Sequence, residues 1–135
     1  MIKFFVSDTN TLISANLLPD SVNRKAFNKA REIGIPVYSI DTLSEFSKTL
    51  IRPKFDKYVS QTKRLDAIVA YENIGQLLKV TVKIERCHDP KDDKFLELAV
   101  EGGATCIITG DKDLLVLHPF KHIPIITAAN FLKVF

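Results

Sequence analysis

Ile2-Lys3-Phe4-Phe5-Val6-Ser7-Asp8-Thr9-Asn10-Thr11 opens the chain with an apolar run that stops abruptly in polar turn formers. A short run of this kind reads as a parallel strand buried on both faces. Asp8 then falls at the strand's C-terminal end. In open α/β sheets that is the edge where ligands bind, in the crevice outside the strands' carboxyl ends. The arrangement returns late in the chain, where Cys106-Ile107-Ile108-Thr109 runs into Gly110-Asp111-Lys112-Asp113. Two buried strands are thus expected to deliver carboxylates to one edge.

Working outward from Asp8, Ser21 suits the N-cap of a helix through Ile33, with Val22, Ala26, Phe27, Ala30 and Ile33 at helical spacing and Gly34 as the stop. Ile35–Ile40 reads as a second strand. Asp41 and Thr42 begin a helix whose inward stripe is Leu43, Phe46 and Leu50, with Glu45 beside it. Pro53 to Leu78 reads as two further helices, Leu65, Ile68, Val69 and Tyr71 being the apolar positions of the second. Val80, Val82 and Ile84 alternate with polar residues as in a strand. Asp89-Pro90 starts the next helix as N-cap and N1 and places Asp92 and Asp93 in its first turn. A strand at Ile123–Ile126 and a helix from Ala128 close the chain. Strands alternating with helices imply right-handed βαβ units. The expected fold is α/β: a three-layer α/β/α sandwich around a central, mostly parallel sheet of about five strands.

The chain has 135 residues. That length suits one domain over residues 1–135, burying roughly two-thirds of its unfolded surface. Apolar residues at 46% and charged residues at 26% exclude disorder and fibrous repeats. Ser7 and Asp8 end the first apolar run too early for a signal sequence, and no stretch is long enough to span a bilayer. A cytoplasmic protein with no membrane partner is expected. Two cysteines, Cys87 and Cys106, are too few for a disulfide framework. Net charge is only +3, but residues 48–64 hold Lys48, Arg52, Lys54, Lys57, Lys63 and Arg64 against Asp56 alone, with Phe55 and Tyr58 interleaved. Such a segment suits either single-stranded nucleic acid or a solvated helix face. Arg52, Lys54, Lys57, Lys63 and Arg64 are the candidate RNA contacts.

Four acidic groups map to element ends along one sheet edge: Asp8, Glu45, Asp92 with Asp93, and Asp111 with Asp113. Gathered carboxylates repel and raise one another's pKa unless a cation neutralises them. A hard divalent ion with oxygen ligands is the natural occupant, and it can activate water for attack on phosphorus. Each acid also has an ordinary role: Asp8 as a helix cap, Glu45 closing a capping box from Thr42, Asp92 and Asp93 at a helix dipole, and Gly110–Asp113 as a turn.

Four segments carry a resemblance: Val6-Ser7-Asp8-Thr9-Asn10, Ser44-Glu45-Phe46, Asp89-Pro90-Lys91-Asp92-Asp93-Lys94-Phe95-Leu96-Glu97-Leu98-Ala99, and Ile108-Thr109-Gly110-Asp111-Lys112-Asp113-Leu114-Leu115. In this order they resemble the PIN-domain family of metal-dependent ribonucleases, and within it the small prokaryotic VapC-like toxins of toxin–antitoxin pairs. The resemblance implies a ribonuclease in which Asp8, Glu45, Asp92 and Asp111 surround magnesium or manganese. It places Asn10, Asp93, Thr109 and Asp113 in support. A slip of one residue exchanges Asp92 and Asp93; aligning Ala99 and Gly103 with the family's helix selects Asp92. It further implies an RNA substrate, a cognate antitoxin partner and a homodimer. Two other readings compete: the same fold as a non-catalytic binding module, and a haloacid-dehalogenase-like phosphatase suggested by Asp8-Thr9-Asn10-Thr11, in which Asn10 replaces that family's general acid. A zinc site from Cys87, Cys106, His118 and His122 lacks a Cys-x-x-Cys pair. The histidines could instead serve a metal-free ribonuclease, and no nucleotide-binding glycine motif is present.

Overall fold

A computed structural model describes residues 1–135. Five parallel strands form one sheet: β1 (Phe4–Ser7), β2 (Ile35–Tyr38), β3 (Gln76–Leu77), β4 (Cys106–Ile108) and β5 (Ile125–Ile126), in the spatial order β3-β2-β1-β4-β5. Seven helices surround it: α1 (Thr9–Leu17), α2 (Val22–Ile33), α3 (Ile40–Leu50), α4 (Gln61–Ile74), α5 (Asp93–Gly102), α6 (Lys112–Leu115) and α7 (Ala128–Val134). The chain leaves β1 toward β2 and β3 and returns on the other side of β1 for β4 and β5. The order therefore reverses between β1 and β4, and a crevice opens there at the strands' C-terminal ends.

Alternation along the strands sends side chains to two cores. Val6 and Ile107 face α5, meeting Phe95, Leu96 and Ala99, while Phe5, Cys106 and Ile108 face α2 and α7, meeting Ala26, Ala30 and Phe131. Phe5 meets the Phe131 ring edge-on at 5.4 Å, a favoured aromatic geometry. A third cluster joins α1, α3 and α4 through Leu12, Phe46, Leu50, Ile68 and Tyr71 around Tyr38. Gly34 ends α2 so close to β1 that a Cβ would lie 2.4 Å from the Lys3 carbonyl oxygen. Gly103 caps α5 at φ 58°, a left-handed position that glycine takes without a steric penalty.

Three expectations need correction. The alternating segment around Val80, Val82 and Ile84 is irregular, and the third strand is Gln76–Leu77. Leu78 N–H donates the last backbone bond to Tyr38, so the segment has run beyond β2 and has no strand to pair with. Carboxylates of α5 take its amides instead: Glu101 accepts from Thr81 and Val82, and Glu97 from Ile84. Second, α3 begins at Ile40 with Ser39 as N-cap and Thr42 completing the capping box, which leaves Glu45 free of any capping role. Third, α4 buries Arg64, Ile68 and Tyr71, while Leu65 and Val69 are exposed.

Candidate metal and nucleic-acid site

Strand β1 ends at Ser7, and Asp8 follows as the N-cap of α1, accepting from Thr11 N–H at 3.0 Å. Its other oxygen accepts from the Thr109 hydroxyl at 2.6 Å, and Thr109 in turn accepts from Asp111 N–H at 2.9 Å. The buried Thr109 oxygen thus has its proton direction set by both neighbours and ties the end of β4 to the end of β1. Burial raises the pKa of Asp8; the hydrogen bonds from Thr109 and Thr11 oppose that rise, and nearby Asp111 adds to it.

Asp111 caps α6 through the Asp113 N–H, which holds residues 111–113 in a tight turn at the edge of the crevice. The single turn Pro90–Asp92, capped by Asp89, brings Asp92 to the same place. One carboxylate oxygen from each of Asp92, Asp111 and Asp113 lies within 4.8 Å of the others. Partial burial of Asp92 and its contact with Asp111, with Asp89 and Asp113 adding like charge, push its pKa up to about 7. Crowded oxygen donors of this kind are what a hard divalent cation relieves.

Asp93 is turned elsewhere. Its carboxylate accepts from Cys87 N–H at 2.8 Å and Arg86 N–H at 3.1 Å, fastening the preceding loop. Although its burial favours the neutral form, these two amides prevail and hold its pKa below the usual carboxylate range. Glu45, on α3, accepts from the Thr9 hydroxyl at 2.6 Å and from Lys94 Nζ. It lines a wholly polar cleft of about 380 Å³ with Asn10, Arg52, Lys91, Asp92, Asp111 and Asp113. Asp8 lines the neighbouring cleft of about 430 Å³, to which Asn10 and Asp111 also belong.

The structure therefore gathers Asp92, Asp111 and Asp113 most tightly, with Asp8 buried behind and Glu45 across the cleft; Asp113 is more central than its expected supporting place. Lys94 escaped the sequence reading. The signal was its position in the first turn of α5, where the helix dipole disfavours a cation and so asks for a nearby anion. Arg64 is a correction of the opposite kind. It is 1% exposed, donates to the carbonyls of Leu50, Arg52 and Val59, and pairs with Asp56. It holds the basic loop together and cannot reach RNA. Arg52, Lys54, Lys57 and Lys63 are exposed. Lys54 lies over the Phe55 ring at 5.1 Å and Lys57 over Tyr58 at 5.2 Å. His118 accepts from Ile125 N–H at 2.9 Å and is occupied in holding β5.

Comparison with known proteins adds family context. The sequence profile described as PIN domain matches residues 5–113. The chain is 34% identical over 115 residues to the uncharacterized protein MJ1680 of Methanocaldococcus jannaschii, covering 84% of this chain and 74% of that protein. VapBC2 from Rickettsia felis, solved bound to a DNA fragment from its promoter, aligns with a TM-score of 0.62 at 9% identity, over 90% of this chain and 96% of that one. VapC20 of Mycobacterium tuberculosis, a Sarcin-Ricin loop cleaving toxin, aligns with a TM-score of 0.54 at 13% identity, over 82% of this chain and 92% of that one.

Proposed function

Because the chain belongs to the PIN-domain family, we propose that it is a magnesium- or manganese-dependent endoribonuclease, acting as the toxin of a toxin–antitoxin pair. The observation that carries this reading is the convergence of Asp92, Asp111 and Asp113 at the crevice where the strand order reverses. The donor set fits such an ion: all three groups offer hard oxygens within 4.8 Å of one another, and burial, with the like charge of Asp111 and Asp113 added, raises the Asp92 pKa. When bound, the ion supplies a water of lowered pKa and neutralises charge that builds on the phosphate.

The chain's own residues do the rest. Asp92, Asp111 and Asp113 hold the ion, and Asp8, anchored by Thr109 and Thr11, sets the position of Asp111 and deepens the negative potential. Glu45 orients the attacking water, with its carboxylate aimed by Thr9 and Lys94. Arg52 and Lys91 line the same cleft and receive the phosphodiester backbone. Lys54, Lys57 and Lys63 draw RNA toward an edge that alone would repel it. Hydrolysis by this route leaves a 5′-phosphate and a 3′-hydroxyl. That VapC20 is a Sarcin-Ricin loop cleaving toxin supports RNA as substrate. A cognate antitoxin and a homodimer complete the proposal.

The test is cleavage of an end-labelled single-stranded RNA by wild type, Asp92→Asn and Asp111→Asn, with manganese, with magnesium and with EDTA. Metal-dependent cleavage giving 5′-phosphate ends and lost in both variants is expected. Cleavage that persists in EDTA, or that survives both substitutions, would overturn the metal mechanism.

A further inference from the structure

Asn10 and Asp111 stand between two clefts of different chemistry. One is the charged cleft with Arg52 and Lys91. The other, about 430 Å³, is lined by Asn10, Ser14, Asn23 and Thr127 with the apolar surfaces of Val22, Ala128 and Ala129. We propose that this second cleft is a nucleobase pocket, which takes the base of a nucleotide adjoining the scissile phosphate and gives the enzyme its sequence preference. The proposal rests on the ribonuclease reading and assigns the specificity of that same site.

The lining argues for a base over the other parts of an RNA chain. No lysine or arginine lines the pocket, and Asp8 and Asp111 form one wall, so a phosphate would meet two carboxylates with no cationic side chain to offset them, the first turns of α2 and α7 supplying only partial charge. A neutral planar ring is suited on both counts. Val22 and Ala129 are exposed and offer apolar surface to its faces, while carboxamides offer paired donors and acceptors to its edge. The Asn10 and Asn23 side chains take no hydrogen bond within the protein, unlike Asn16, whose amide donates to Leu12. Asn23 sits in the first turn of α2, on a helix that the Ser21 cap and the Ala26, Phe27 and Ala30 contacts hold rigidly. The volume admits one ring system. Asn10 and Asp111 line both clefts, so a nucleotide whose phosphate lies at the carboxylates has its base within reach of the neutral side.

The test compares wild type, Asn23→Ala and Ala129→Phe. Both positions lie on solvent-facing surfaces, and calorimetric manganese affinity checks that the carboxylates are undisturbed. Cut sites are mapped on RNA of mixed sequence, and the Asn23 side-chain amide is followed by NMR during titration with each of the four nucleosides. The expected result is a base preference at one position beside the cut, a preference weakened about tenfold by Asn23→Ala, and Asn23 shifts with the preferred nucleoside that vanish in Ala129→Phe. Metal-dependent cleavage with no base preference, or with a preference both variants retain, would overturn the pocket and leave the ribonuclease standing. Absence of both cleavage and manganese binding in wild type would overturn the ribonuclease and this pocket together.

Discussion

Thr109 is the residue on which the acidic edge turns. Its hydroxyl donates to Asp8 and accepts from the Asp111 amide, and it is fully buried. Thr109→Val keeps the shape and removes both bonds, leaving a buried carboxylate without one of its donors. Stability should fall by about 1–3 kcal/mol, read from urea unfolding, and RNA cleavage should fall with it. A variant as stable and as active as wild type would deny the link between the two strands. Lys94 invites a prediction of opposite sign. Its ammonium is paired with Glu45 and so raises the local potential beside the carboxylate cluster. Lys94→Gln should tighten manganese binding roughly fivefold, the factor given by about 1 kcal/mol of lost cation–cation repulsion. It should also slow cleavage, because Glu45 loses its orienting partner. Unchanged or weaker manganese affinity in calorimetry would show that Lys94 does not act on the ion through charge.

At the scale of elements, α5 does two jobs. Its inner face fills the core with Phe95, Leu96 and Ala99, and its flank substitutes carboxylates for a missing strand partner along residues 81–87. Glu101 carries the far end of that clamp. The Thr81 amide and hydroxyl, with Val82 behind them, hold its pKa below the ordinary 4.5. A carboxylate with a depressed folded-state pKa contributes stability that is present above the unfolded value and lost as pH falls through the folded one. Hydrogen-exchange protection of Thr81 and Val82 should therefore be full near neutrality and fade at pH below about 4.5. Glu101→Gln should abolish that dependence. Equal protection factors in acid and at neutrality would disprove the clamp. The strand pattern of Val80, Val82 and Ile84 was legible, and Val80 and Ile84 do turn toward the core. What the pattern could not show is that β2 ends at Tyr38, because pairing depends on a neighbour that is remote in sequence.

Across the whole molecule, charge is divided between an acidic edge and a basic loop, and only part of that loop is free to bind. Lys54→Glu with Lys57→Glu should leave unfolding unchanged and weaken RNA binding, with the salt-dependence slope reduced by roughly 1.4 for two lost phosphate contacts on a single strand. Arg64→Ala should act first on the fold: a loss of about 2–4 kcal/mol in stability, read from urea unfolding, as three carbonyls and Asp56 lose their donor. If the double substitution left the salt slope unchanged, the loop would have no part in binding. The sequence by itself determined the ends of β1 and β4, the caps at Asp8, Ser21 and Asp89 and the acids beside them, since apolar runs, N-cap residues and glycine stops act over a few neighbours and are written locally. It also separated Asp92 from Asp93 only through an alignment, whereas in space the two carboxylates have different partners. Tertiary structure alone decided which acids meet, that Lys94 pairs with Glu45, and that Arg64 is buried. Each of these depends on where distant elements pack: β1 lies beside β4 although Thr109 and Asp8 are 101 residues apart, and no local pattern encodes that distance.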